Sequence, residues 1–240
     1  MPSPNHGERR GSARPDMILL HYTGMQDAQV ALQRLCQQGS EVSAHYVVFE
    51  DGRVVQCVPE ARRAWHAGEA AWAGATDINS CSIGIEITNP GHEWGYADFT
   101  APQIAAVLAL CRDIVARHAI PPRRILAHSD VAPTRKNDPG EKFPWGRLAA
   151  AGVGHWAEPE PIAPGKTLTL GDRGREVETL QSALARYGYG LEATGTYDAP
   201  TRDVVAAFQR HFRPARVDGI ADASTLKTLA KLLAIPDAGA

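Results

Sequence analysis

Two short apolar runs, each closed by a histidine, constrain this chain more than any other feature. Met17-Ile18-Leu19-Leu20 runs into His21, and Ile125-Leu126-Ala127 runs into His128. A continuous apolar run without polar alternation predicts a strand buried on both faces. If the two strands are parallel neighbours, their histidines emerge at the same edge of the sheet. After His128 a loop carries Lys136 and Asp138, and Pro139-Gly140 turns the chain away. A proline-punctuated loop at a strand end is how a protein holds polar groups over a cleft.

The chain between these runs alternates in type. Residues 26–37 place Val30, Leu32, Leu35 and Cys36 at helical spacing. Ser43–Phe49 and Arg53–Val58 flank Asp51-Gly52, a strong hairpin signal. A loop over 64–80, rich in Ala, Gly and Trp, leads to Ser82-Ile83-Gly84-Ile85-Glu86-Ile87-Thr88. In that strand the isoleucines share one face, and Gly84 and Glu86 share the other. Residues 101–118 read as a helix ended by Pro121-Pro122. Alternating strands and helices predict an α/β domain with a mixed central sheet flanked by helices, over residues 1–156.

Residues 157–167 contain three prolines and a glycine and read as a linker. Beyond them, over 168–236, three helical patterns follow, marked by Val177/Leu180/Leu184/Tyr187, Val204/Val205/Phe208 and Leu226/Leu229/Leu232. The last two are introduced by one signal, Gly195-x-x-Asp198-x-x-Thr201 and Gly219-x-x-Asp222-x-x-Thr225. The glycine permits a tight turn and the aspartate is a helix N-cap. This is an internal repeat in a small C-terminal three-helix domain.

A catalytic zinc site takes three protein ligands and leaves a fourth position for water. His21, His128 and Asp138 supply such a set; the plainer alternative for a lone strand-end histidine is a surface residue. Glu86 is a carboxylate inside an apolar strand, costly unless it faces a cleft or pairs with an arginine. Lys136, two residues before Asp138, reaches the same side of an extended loop, or is simply solvated. His6, His92, His118, His155 and His211 lack a comparable context and read as non-functional.

Composition excludes more than it selects. With 44% hydrophobic and 22% charged residues this is ordinary globular material, and a net charge of −2 gives no reason to expect nucleic acid or an anionic membrane as partner. No apolar run reaches the ~20 residues of a membrane span. Met1–Asp16 has no apolar core of the secretory type. Cys36, Cys57, Cys81 and Cys111 sit among apolar neighbours without C-x-x-C spacing, and read as free thiols.

At these residues the sequence resembles the type 2 N-acetylmuramoyl-L-alanine amidases, zinc enzymes akin to the peptidoglycan recognition proteins and amidase-type phage lysozymes. The resemblance spans residues 14–148. It is carried by His21-Tyr22-Thr23, Val42-Ser43-Ala44-His45-Tyr46, Asp51-Gly52, Arg63-Ala64-Trp65-His66-Ala67-Gly68, Ser82-Ile83-Gly84-Ile85-Glu86, His128-Ser129-Asp130 and Lys136-x-Asp138-Pro139-Gly140. It implies that His21, His128 and Asp138 hold zinc, that Glu86 and Lys136 assist catalysis, and that Trp65, His66 and Asn79 fall in the substrate groove. His45 is placed with them, a structural role beside the site being the preferred alternative. Some relatives carry a cysteine ligand and a nearby tyrosine where this chain has Asp138 and Ala44, which puts it in the branch that uses Glu86.

The implied reaction is attack of a zinc-activated water on the lactyl carbonyl of muramic acid. Glu86 moves the proton, Lys136 lies beside the oxyanion, and the stem peptide leaves without a covalent intermediate. The C-terminal unit resembles the peptidoglycan-binding type 1 domain, through Leu170-Gly171-x-x-Gly174, Gln181-x-x-Leu184, Tyr187-Gly188-Tyr189, Phe208-Gln209 and Val217-Asp218-Gly219. Tethered to an amidase, such a module would raise the local concentration of wall; otherwise it is an appendage that stabilises the amidase domain. The implied partner is peptidoglycan or a muropeptide. The implied location is the cell envelope or periplasm, with the cytoplasm as alternative because no leader is visible. Two rivals stand beside this reading. One is a recognition protein that binds muramyl peptides without cutting them. The other is a zinc peptidase acting within the stem peptide, for which the chain has no H-E-x-x-H helix.

Overall fold

The computed structural model describes residues 1–11 and 14–236. A small antiparallel pair joins β1 (His6–Glu8) to a later strand, β5 (Arg62–Ala64). The main sheet is built from β2 (Met17–Tyr22), β3 (Tyr46–Val48), β4 (Val54–Gln56), β6 (Ser82–Ile87) and β7 (Ile125–Ala127), in the order β4-β3-β6-β2-β7. All neighbours are parallel except the edge pair β3–β4, so the mixed sheet expected from the sequence is present. The register places Leu20 opposite Ala127 on β7, and His21 opposite Glu86 on β6. The strand-end histidines and the in-strand glutamate therefore gather at one end of the sheet.

Around the sheet lie α1 (Ala28–Cys36), α2 (Ile78–Cys81), α3 (Ala101–His118), α4 (His128–Val131) and α5 (Trp145–Ala150). Asp27 caps α1 by accepting from the amides of Gln29 and Val30. The cap turns Ala31, Leu32 and Leu35 inward and leaves Val30, 47% exposed, facing out, against the sequence reading. Thr100 caps α3, and Ala119 ends it in the left-handed conformation before the prolines. The Asp51-Gly52 turn is wider than a two-residue hairpin, since Phe49 N–H still bonds the Arg53 carbonyl. The expected loop after His128 begins as the short helix α4, because the Asp130 carboxylate accepts from Ala127 N–H at 2.8 Å.

Strand alternation sends the two sets of core residues to opposite faces. Ile18, Leu20, Ile83, Ile85 and Ile87 pack with Ile104, Val107, Cys111 and Ile114 of α3. The other face, with Met17, Leu19 and Leu126, belongs to the same apolar cluster as the C-terminal helices α6 (Arg175–Tyr187), α7 (Ala199–Phe212) and α8 (Ala223–Ala234). A parallel sheet needs both faces covered, and the C-terminal helical module helps to cover the second.

The repeat seen in the sequence has a structural counterpart. Asp198 and Asp222 cap α7 and α8 through Thr201 N–H and Thr225 N–H. Buried Gln181 and Gln209 each accept from a turn glycine, Gly195 or Gly219, and donate to Thr201 or Thr225. Residues 157–167 carry no helix or strand. That segment is held to α8, where Glu160 N–H donates to Thr228 Oγ1 at 3.0 Å and Ser224 Oγ donates to the Glu160 carbonyl at 2.5 Å. All four cysteines are free. Among the described residues no helix is long and apolar enough to cross a membrane.

Candidate metal centre and its cleft

His21 Nδ1, His128 Nδ1 and Asp138 Oδ2 form a small triangle, with separations of 2.9, 3.0 and 3.1 Å. All three side chains are buried. His21 ends β2, His128 opens α4, and Ser129 N–H donates to the Asp138 carbonyl at 3.0 Å, which fastens the returning loop to the α4 turn. Among the described residues this is the group whose ligand atoms could share a metal ion.

Hydrogen bonding on the far side of each ring bears on its tautomer. His128 Nε2 lies 3.0 Å from the Ala67 carbonyl, which can only accept, so Nε2 carries the proton and Nδ1 keeps its lone pair. His21 Nε2 lies 3.0 Å from His66 Nδ1, and His66 Nε2 lies 3.3 Å from Ser82 Oγ, which donates to the Ile78 carbonyl at 2.6 Å. That chain is satisfied throughout when His21 donates from Nε2 and His66 donates to Ser82. Both Nδ1 lone pairs then face each other and a carboxylate oxygen, with no proton between them. Burial, reinforced by His128, lowers the His21 pKa to about 4 despite Asp138, so the ring is neutral at neutral pH. Burial raises the Asp138 carboxyl, but positive charge in the triangle, placed on His128 and His21, outweighs it and holds the carboxyl well below its usual range. Three converging acceptors suit a small cation. Ligand bonds of about 2.0–2.2 Å set ligand atoms roughly 3.3–3.6 Å apart in a tetrahedral shell, and the triangle is a few tenths of an ångström tighter.

The triangle opens on a cleft of about 520 Å³ whose lining includes Trp65, His66, Glu86, His92 and Lys136. Glu86 is partly buried, and its Oε2 is a buried atom with no hydrogen-bond partner. Burial and the Asp138 charge push its carboxyl well above the usual range, with Lys136 pulling the other way. Gly84, two residues earlier on the same strand face, makes room for the His66 ring. A Cβ there would lie 2.5 Å from His66 Cγ.

The structure distributes the sequence-predicted substrate residues unevenly. Trp65 and His66 line the cleft, but both His66 nitrogens are engaged by His21 and Ser82, so His66 offers only its ring face and serves to brace His21. Asn79 is buried, and its Oδ1 accepts from the amides of His66 and Ala67 at 3.0 and 2.8 Å. It therefore shapes the segment that carries the His128 acceptor and does not face the groove. His45 is wholly buried; its Nδ1 accepts from Gly84 N–H and its Nε2 meets the Arg62 carbonyl and Arg9. It ties β6 to its neighbours and is not among the residues that line the cleft. His92, set aside on sequence grounds, lies on the rim between Tyr22 Oη at 3.0 Å and the Glu141 carboxylate at 3.1 Å. No local signal marked His92, because its partners are far away in the chain.

Comparison with known proteins gives the family. Residues 11–141 match the family profile described as N-acetylmuramoyl-L-alanine amidase, and residues 173–229 match a peptidoglycan binding domain. The chain is 39% identical over 228 residues to the N-acetylmuramoyl-L-alanine amidase AmiD of Escherichia coli, spanning 88% of this chain and 80% of that protein. It superimposes on a solved complex of that amidase with the substrate anhydro-N-acetylmuramic acid-L-Ala-D-gamma-Glu-L-Lys. The TM-score is 0.78 at 37% identity, covering 95% of this chain and 97% of the other. AmpDh3 of Pseudomonas aeruginosa superimposes with a TM-score of 0.77 at 30% identity, covering 97% and 94%. With a family match over more than half its length and relatives aligned across both of its parts, the chain belongs to the N-acetylmuramoyl-L-alanine amidase family.

Proposed function

We propose that the chain performs its family's reaction through a zinc ion held by His21, His128 and Asp138, with Glu86 as the proton-transfer group and Lys136 as the cation beside the developing oxyanion. The bond cut is the amide between the lactyl carbonyl of muramic acid and the amine of L-alanine. When bound, the ion supplies Lewis acidity and lowers the pKa of water. The observation that carries this reading is the triangle itself: two imidazoles whose far nitrogens are committed as donors, and a carboxylate, all converging on one point.

The remaining work falls to the chain's own groups. Glu86 lines the cleft with a buried, unpartnered oxygen, and a carboxyl raised above its ordinary pKa is a better proton acceptor at neutral pH. It takes the proton of the attacking water and returns it to the departing L-alanine amine. Lys136 stabilises charge on the former carbonyl oxygen. His66, Asn79 and the Ala67 carbonyl fix ring orientation and tautomer for the two histidines, a type of support whose loss costs about 10–100-fold in metal affinity or activity.

Peptidoglycan and soluble muropeptides both carry the scissile amide, and the helical module favours wall or large fragments, hence work at the cell envelope. The test is chelation followed by reconstitution, with products identified by mass. Metal-stripped protein should be inactive on a muramyl peptide and recover with one equivalent of zinc. Glu86→Gln should retain the metal and lose turnover. Full activity after chelation, or in Glu86→Gln, would refute the assignment. A recognition-only protein would bind the ligand and release no free stem peptide.

A further inference from the structure

Asp130 is a wholly buried carboxylate one turn into α4, and its partners come from both parts of the molecule. Its Oδ2 accepts from the N–H of Ala127, the residue just before His128, at 2.8 Å. The other donors belong to the helical module: His211 Nδ1 on α7 at 2.6 Å from Oδ2, and Tyr189 Oη at 2.8 Å from Oδ1. The His211 ring is stacked between Trp145 of α5 and its neighbour Phe212, with centroids 3.7 and 3.8 Å away. Tyr189 packs edge-on against Trp72, 4.9 Å between centroids, and bridges to it along the backbone. Gly188 lets this contact close, since a Cβ there would sit 2.5 Å from the Trp72 ring. Both donors are thus fixed in place.

We propose that the helical module is a positioning part of the metal centre, acting through Tyr189 and His211 on Asp130 and thereby on the α4 turn that carries His128. The proposal rests on the reading of His128 as a metal ligand. The physical chain is short. A carboxylate with no exposure needs its charge met by hydrogen-bond donors. The N-terminal domain supplies one, Ala127 N–H, and that bond holds the start of α4. Without the module's donors the carboxylate must turn toward water, which weakens its grip on Ala127 and frees His128, and with it Ser129 N–H, the link to Asp138. A module that only binds wall would matter for polymeric substrate alone. A positioning module matters also for metal retention and for the smallest soluble muramyl peptide.

The test uses the full chain with Tyr189→Phe and His211→Phe, singly and together. His211→Phe keeps a ring in the stack and loses the donor. Tyr187→Phe serves as control, since it removes a 2.8 Å bond to His155 in the same interface without touching Asp130. Zinc affinity is read by competition with a chromophoric chelator, kcat and KM on a soluble muramyl tripeptide, and the thermal midpoint on metal-free protein. Each single variant should bind zinc about 10-fold more weakly and the pair about 100-fold. Activity should return as zinc is raised, KM should be unchanged, and His211→Asn, whose amide can donate where Nδ1 does, should recover most of the loss. Wild-type zinc affinity in the double variant would overturn the proposal, as would an equal loss in Tyr187→Phe. Undiminished zinc binding by His128→Ala would instead sink the ligand assignment beneath it.

Discussion

The substitution Gly84→Ala probes the support of His21 with a perturbation of one methyl group. The added Cβ would stand 2.5 Å from His66 Cγ and 2.6 Å from Cδ2 and Nδ1, more than 1 Å inside ordinary carbon contact. The ring cannot slide freely, because His21 lies 3.0 Å from one nitrogen and Ser82 3.3 Å from the other. Relief therefore requires displacement of the ring at an overpacking cost of about 1–3 kcal/mol, together with stretching of bonds worth about 1 kcal/mol each. For a chain of this size that corresponds to a fall in melting temperature of roughly 4–15 °C. Zinc binding should weaken about 10-fold as His21 loses its orienting partner. The assay is a double-mutant cycle with His66→Ala, following thermal stability and chelator competition. With the ring removed the methyl has nothing to strike, so the two substitutions should be strongly non-additive, with a coupling of about 1–3 kcal/mol. Equal destabilisation by Gly84→Ala in both backgrounds would show that the cost lies in the strand and not in the contact with His66.

Other consequences follow from the same geometry. Glu86→Gln should lower kcat by at least 100-fold and leave zinc stoichiometry unchanged, as metal analysis beside single-turnover kinetics would show; in the wild type the acid limb of kcat/KM should titrate above an ordinary glutamate, because burial favours the neutral acid. Asn79→Ala leaves two backbone N–H groups without their acceptor and should cost about 2–4 kcal/mol in denaturant unfolding, with weaker metal binding as Ala67 loosens; a loss below about 0.5 kcal/mol would contradict its assigned role. Burial pulls the Glu60 carboxyl up, but Arg117, Tyr46 and His118 outweigh it and bring it down to about 2. Its stabilising effect is therefore complete above the unfolded value near 4.5 and is lost as pH falls toward about 2; Glu60→Gln should flatten that part of the stability–pH profile. Asp198→Ala removes the cap of α7 and should cost about 1 kcal/mol by urea unfolding, without altering kcat on a soluble substrate.

What the sequence made legible was local. The apolar runs at 17–20 and 125–127 placed His21 and His128 at strand ends because a doubly buried strand needs no partner to be recognised. The Gly-x-x-Asp-x-x-Thr repeat placed two helix caps, since a cap satisfies amides only three residues away. Asp138 was legible from its spacing after His128 and the Pro-Gly turn behind it. The supporting residues were not legible in this way. His66 and Asn79 lie in a stretch without periodicity, and their direction is set by Gly84 on a strand and by Ala67, whose carbonyl is claimed by His128. His211 had no signal at all, because its carboxylate partner is 81 residues away and meets it only when the helical module docks. The proline-rich segment gave no hint that the peptidoglycan-binding-type module after it shares one apolar cluster with Met17, Leu19 and Leu126, a contact that covers a sheet face which cannot be left in water. β1 escaped notice for a related reason: His6-Gly7-Glu8 has weak strand propensity and pairs only because β5 presents an edge.

If His21, His128 and Asp138 hold a catalytic ion with room for solvent, X-ray absorption at the zinc edge of stoichiometrically loaded protein should show it. The expected signal is a four-coordinate shell of nitrogen and oxygen donors at about 2.0–2.2 Å, with scattering from two imidazole rings that falls to one ring in His128→Ala. A sulfur shell near 2.3 Å, or a signal unaltered by loss of His128, would contradict it.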